Sequence, residues 1–131
     1  MVKAEYIPYN EALKLKLLGF NEECDRAYTE EYKQLISATN GHTNESIKDT
    51  LPTKPFTAPT FSQVFKWFRD NHKLEGHIKS WKREGEIVYY FSVNKLGEPS
   101  KFNDNEFRGK SYEDAELECI KKLINLISHG K

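Results

Sequence analysis

Between residues 61 and 93 the large apolar side chains change period, and no other feature of the chain restricts its fold as much. Phe61, Val64, Phe65 and Phe68 recur at i, i+3, i+4 and i+7, which is one face of a helix. Thr60-Phe61-Ser62-Gln63 in front of them is a capping-box pattern, and the helical signal fades near Asn71. The period then falls to two. Ile87, Tyr89, Phe91 and Val93 alternate with Val88, Tyr90, Ser92 and Asn94, so Glu86–Val93 reads as a strand. With Glu84-Gly85 as a two-residue turn, the register pairs Arg83 with Glu86, Trp81 with Val88, Lys79 with Tyr90 and Ile78 with Phe91. One face of that hairpin carries Ile78, Ser80, Ile87, Tyr89, Phe91 and Val93 and is expected to meet helices. The other carries His77, Lys79, Trp81, Val88 and Tyr90.

The rest of the C-terminal half completes this pattern. Gly97-Glu98-Pro99-Ser100 reads as a turn, and Lys101–Phe107 as a third, edge-like strand made irregular by Asn103-Asp104-Asn105. Ser111 caps a closing helix whose first turns hold Glu113, Asp114 and Glu116 and whose later turns hold Lys121-Lys122, matching the helix dipole. Its apolar face is Tyr112, Ala115, Cys119, Ile120, Leu123, Leu126 and Ile127. Two helices on one side of three strands would enclose Phe65, Phe68, Tyr89, Phe91, Cys119 and Leu123.

Residues 1–36 are read as an N-terminal piece. Pro8 and Asn10 open a short helix with Leu13/Leu17 and Leu15/Leu18 at apolar spacing, and Gly19 is a left-handed stop. Cys24–Tyr28 and Tyr32–Ile36 form either a short strand pair or, at Glu30-Glu31, a helical turn. Residues 37–59, with Asn40-Gly41, Pro52, Pro55 and Pro59, carry little periodicity and read as a polar loop, the glycosylation-type triplet Asn44-Glu45-Ser46 included. The expected architecture is α+β: a single domain over 1–131 with an N-terminal helix and short strands (1–36), a polar loop (37–59) and an α-β-β-β-α core (60–131) holding a small antiparallel sheet of about three strands.

The order of elements over residues 60–128 resembles the topology of the double-stranded RNA-binding domain. That family grips phosphates with a basic cluster at the start of its last helix. Here those positions read Ser111-Tyr112-Glu113-Asp114-Ala115-Glu116, which opposes duplex binding in that mode. A second resemblance rests on short sequence motifs. Ala58-Pro59-Thr60 with Gln63 and Trp67-Phe68-Arg69, Tyr112-Glu113-Asp114-Ala115-Glu116, and Lys121-Lys122-Leu123-Ile124 resemble small proteins of phages, prophages and mobile elements. Ile7-Pro8-Tyr9, Ala12-Leu13 and Leu18-Gly19-Phe20 have the look of that group's N-terminus. The group has no assigned activity, so the resemblance implies an origin and carries over no catalytic residues.

The longest early aliphatic stretch, Leu17-Leu18-Gly19-Phe20, is far short of the ~20 residues of a spanning helix or the ~7–15 of a signal-peptide core. Cys24 and Cys119 are therefore expected to be reduced thiols in a cytoplasmic protein. No phosphate-binding, dinucleotide, zinc-ligating or nucleophile-elbow motif occurs. His72 and His77 stand alone as solvent-facing histidines, Glu113, Asp114, Glu116 and Glu118 read as a solvated helix start, and Cys119 reads as core. No catalytic residue, metal ligand or cofactor site is expected, and the chain is read as non-enzymatic.

Net charge is zero, yet it is a sum of opposed segments: −2 over 1–36, 0 over 37–60, +3 over 61–84, −1 over 85–100 and 0 over 101–131. The basic segment coincides with Trp67, Trp81 and nearby Tyr90. Trp67, His77, Lys79, Trp81, Arg83 and Tyr90 form the candidate interaction surface. Aromatic rings among cations suit a protein partner or a second copy of the chain, single-stranded nucleic acid, or cover by the acidic residues 1–36. Cover by residues 1–36 is the leading reading of the surface, and among external partners a protein or second copy comes before nucleic acid.

Overall fold

A computed structural model describes residues 6–29, 35–48, 55–98, 102–109 and 111–129, without the side chains of 38–40, 83, 102–109 and 129. The elements in chain order are α1 (Tyr9–Leu17), β1 (Cys24–Thr29), β2 (Leu35–His42), α2 (Asn44–Ile47), β3 (Pro55–Thr57), α3 (Phe61–His72), β4 (Leu74–Arg83), β5 (Glu86–Lys95), β6 (Phe102–Gly109) and α4 (Tyr112–His129). Helices with small antiparallel sheets make this an α+β fold. The chain divides into two compact units, residues 1–63 and 64–131, with the division falling inside α3; the sequence was read as one domain.

In the first unit α1 ends as Gly19 predicts. Gly19 has φ +97°, its N–H donates to Lys16 O and that of Phe20 to Leu15 O, which is the Schellman arrangement. Leu15 is fully buried, whereas Leu17 is 76% exposed and takes no part in the core. β1 is the centre of a three-stranded antiparallel sheet ordered β2-β1-β3. The strand read at Cys24–Tyr28 lies in β1, and of the one read at Tyr32–Ile36 Leu35 and Ile36 fall in β2; Glu30, Glu31, Tyr32, Lys33 and Gln34 lie outside the described residues. Tyr9, Tyr28 and Phe56 pack edge-on or tilted with centroids 5.2–6.1 Å apart, and the Tyr28 hydroxyl donates to Ile7 O at 2.7 Å.

The reading of residues 37–59 as a polar loop is corrected. β2 continues to His42, a one-turn helix follows at Asn44–Ile47 inside a Thr43/Ser46 capping box, and Pro55–Thr57 is a buried strand. Polarity misled because the segment's hydrogen-bonding side chains are used internally. The half-buried Asn44 donates from Nδ2 to Phe20 O and accepts from Thr57 N–H, both at 2.7 Å. Asn44 is therefore a structural clamp, not a loop residue. Pro52 lies outside the described residues.

The second unit follows the expected order. β4, β5 and β6 form one antiparallel sheet in that order, and α4 packs along it against all three strands. Both caps form: Gln63 N–H donates to Thr60 Oγ1 at 3.2 Å while Thr60 N–H donates to Gln63 Oε1 at 2.9 Å, and Asp114 N–H donates to Ser111 Oγ at 3.1 Å. The third strand is irregular, but not at Asn103-Asp104: these pair in register with Ser92 and Phe91, and the shift falls between Asp104 and Gly109. Pro99, Ser100 and Lys101 lie outside the described residues. The core of this unit includes Val64, Phe68, Phe91, Val93, Ala115, Cys119, Ile120 and Leu123. α4 can lie close to β4 because residue 76 is glycine: a Cβ there would sit 2.7 Å from Cys119 Sγ and 2.8 Å from Phe65 Cε1.

Candidate functional site

The β4–β5 hairpin carries five of the six candidate residues. Its turn has positive φ at both central positions, +51° at Glu84 and +84° at Gly85, the type I′ geometry whose twist matches a right-handed strand pair. The register is the one read from the sequence, from Arg83↔Glu86 down to Leu74↔Lys95. His77, Lys79, Trp81, Val88 and Tyr90 thus share the face opposite α4.

Burial changes along this ribbon. At its base, Phe91 and Val93 face the helices and are buried, while on the opposite face Ser92 and Asn94 are buried as well. Asn94 Nδ2 lies 3.0 Å from Lys95 O, 3.0 Å from Glu98 O and 3.4 Å from Glu75 Oε1, and Glu75 Oε1 is also 3.7 Å from His77 Nε2. Toward the tip both faces open. Lys79, Ser80, Trp81 and Lys82 are exposed on β4, with Trp81 at 60% and Ile87 at 58%; Val88 and Tyr90 are half-buried. The expectation that Ile87 and Ser80 meet the helices is corrected. Their parity is right, but they lie beyond the stretch where the sheet is covered. Arg83 pairs with Glu86 next to the turn, and its side chain lies outside the described residues.

Trp67 leaves the candidate set. It is 5% exposed, edge-on to Phe68 at 5.0 Å and to His72 at 4.7 Å. Its distance from Phe68 around the helix suggested the margin of the core. The signal that places it inside is Val64, three residues earlier and about 60° away around the helix, which is itself fully buried. The His72 ring is partly enclosed here, and burial lowers its pKa; it is not the solvent-facing histidine expected. His77 is exposed, as read.

Both cysteines are free and buried. Burial pushes the Cys24 thiol up to about 11 and the Cys119 thiol up to about 12, so neither supplies a thiolate near neutral pH. A shallow cleft of about 370 Å³ in the first unit is lined by Tyr6, Glu23, Cys24, Asp25, Gly41, Thr60 and Gln63. Sequence reasoning did not find it, because its walls come from four separate stretches of chain. Within it the Tyr6 hydroxyl donates to Asp25 Oδ1 at 3.1 Å, and desolvation together with that bond raises the phenol's pKa. Among the described residues no group of three His, Cys, Asp or Glu side chains is placed to hold a metal ion, and no helix is long and apolar enough to cross a membrane. Glu113 and Asp114 are exposed in the first turn of α4. Comparison of the chain with protein-family models, with curated proteins and with solved structures finds no match.

Proposed function

We propose that this chain is a non-enzymatic, cytoplasmic accessory protein of phage or mobile-element type that acts by binding another protein through the outer half of the β4–β5 hairpin. The observation that carries the reading is the open tip, where Trp81 and Ile87 are both more than half exposed on opposite faces of one ribbon. Tryptophan and tyrosine are among the residues enriched at binding hot spots, and Trp81 and Tyr90 lie on one face of the ribbon. The protonated, buried thiols support a role outside nucleophilic catalysis. The phage-type origin rests on the short motifs quoted above.

The test uses the full-length native chain and its Trp81→Ala and Ile87→Ser variants as baits, with sedimentation of each to register self-association. A partner, or a second copy, held by the native chain and lost by both variants is the expected outcome. Identical recovery with all three baits refutes the reading. The interleaving of Lys79 and Trp81 with Tyr90 across the strand pair favours one alternative, a single-stranded nucleic acid stacked on the rings. That alternative requires oligonucleotide binding that falls steeply with salt and is abolished by Trp81→Ala with Lys79→Ala; no binding at low salt eliminates it.

A further inference from the structure

The hairpin offers a backbone as well as a face. Among the described residues β4 is an end strand of its sheet, paired on one side with β5. In a two-residue hairpin the residues flanking the turn exchange both ladder bonds, and hydrogen-bonded pairs alternate with open ones from there. With the register running from Arg83↔Glu86, Arg83, Trp81 and Lys79 bond inward. The N–H and C=O groups of Lys82, Ser80 and Ile78 therefore point away from β5. Around these positions Lys79, Ser80, Trp81 and Lys82 are exposed. An edge of this kind is a template for one more strand.

Charge selects what that strand is. From His77 to Arg83 the edge holds three basic residues and no acidic one. The acid lower on the strand, Glu75, is already beside His77. Among the described residues neither Lys79 nor Lys82 has an ion-pair partner. A second copy of β4 would add charge of the same sign along the whole contact, and like charges opposite one another destabilise a strand pair.

We infer that the free edge of β4 takes an extended acidic segment of another protein as a fourth strand; this rests on the proposed role of the hairpin in protein binding. Side-chain alternation defines the segment. A residue opposite Lys79 shares its face with Trp81, and a residue opposite Lys82 lies on the other face. The segment therefore carries two acidic residues three positions apart, with an apolar residue between them at the position facing Trp81.

The test pans a display library of random eight-residue peptides on the full chain, then titrates the enriched peptides by fluorescence anisotropy. Enrichment of the acidic, apolar-centred pattern is expected. Ser80→Pro removes an N–H that the hairpin does not use and should weaken binding about tenfold or more. Ser80→Val keeps the N–H and should bind as the native chain does. Lys79→Glu with Lys82→Glu, at exposed positions, should abolish binding of the acidic peptides and provides an independent readout if Ser80→Pro perturbs the fold. A library that yields no binder, or binders lacking acidic residues, overturns the inference. Binders that survive Ser80→Pro and the lysine reversals but are lost with Trp81→Ala refute the added strand and leave the reading of the hairpin intact. Binders indifferent to all of these changes refute both.

Discussion

Replacing Gly76 by alanine tests how closely α4 is seated on the sheet. The new Cβ would lie 2.7 Å from Cys119 Sγ and 2.8 Å and 3.2 Å from Phe65 Cε1 and Cδ1. Carbon contacts are comfortable at roughly 3.5–4.0 Å, so each neighbour must retreat by most of an ångström. Cys119 has no exposure and sits in the middle of an 18-residue helix packed along its length, so Sγ cannot retreat without moving α4. Phe65 is half-buried and yields more easily. Gly76 has no positive φ, so alanine strains no backbone and gains about 0.4–1 kcal/mol by restricting the unfolded chain. Overpacking of this kind costs about 1–3 kcal/mol. The overlap wins, and Gly76→Ala should destabilise by about 1–2 kcal/mol in urea unfolding with an unchanged slope. In Gly76→Ala with Cys119→Ala the added methyl occupies space the sulfur leaves, so the double variant should lose clearly less than the sum of the singles, by at least about 0.5 kcal/mol. Gly76→Ala as stable as the native chain, or strict additivity with Cys119→Ala, would refute the argument.

Other consequences are read by simpler measurements. Trp67→Ala should cost about 3–5 kcal/mol in urea unfolding as a core truncation, whereas Trp81→Ala should change stability by less than about 1 kcal/mol; acrylamide should quench the emission of Trp81 in the native state and spare that of Trp67. Asn44→Ala removes the amide that donates to Phe20 O and accepts from Thr57 N–H, at a cost of about 1–3 kcal/mol measured by the same unfolding assay. Both thiols should resist Ellman's reagent at pH 8 until the chain is unfolded. Their folded values, about 11 and about 12, stand above the ordinary 9.0, because burial penalises the thiolate. The unfolded chain therefore ionises first: stability is intact below pH 9, falls as pH rises from about 9 to about 12, and falls less in Cys119→Ala.

Legibility differed between the two units for a physical reason. In residues 64–131 the elements are long and their apolar periods unmixed, so α3, the β4–β5 register and α4 could be placed from spacing alone, and a hairpin with a two-residue turn has one register that keeps Phe91 and Val93 inside. In residues 1–63 the sheet is built from short strands, and much of its coherence comes from single polar groups. Asn44 reaches Phe20 and Thr57, and Gln63 Nε2 donates to Glu23 O at 2.8 Å across 40 positions. Contacts of that span leave no period in the sequence. The candidate surface was legible in its alternation and not in its extent: parity assigns Ile87 to the helix side, but only the length of α4 relative to the hairpin decides that the helix does not cover it. Trp67 shows the converse, since its offset of about 100° from Phe68 around the helix points to the margin of the core while the adjoining row through Val64 carries it inward.

The exposed tip is difficult to explain as a by-product of folding. A two-stranded ribbon without a covered face is marginal in water, and the outer part of this one is held by its type I′ turn and by cross-strand pairs such as Trp81↔Val88 and Lys79↔Tyr90. A core would use Trp81 and Ile87 by burying them, and here they are the large apolar side chains of the hairpin most open to solvent. Polar β-formers such as Thr at both positions would preserve the ribbon and its register while removing the exposed apolar area that favours aggregation. Trp81→Thr with Ile87→Thr should therefore leave urea stability within about 1 kcal/mol of the native chain and abolish partner capture. A loss of several kcal/mol instead would mean that these side chains support the fold, and the hairpin would lose its standing as the interaction site.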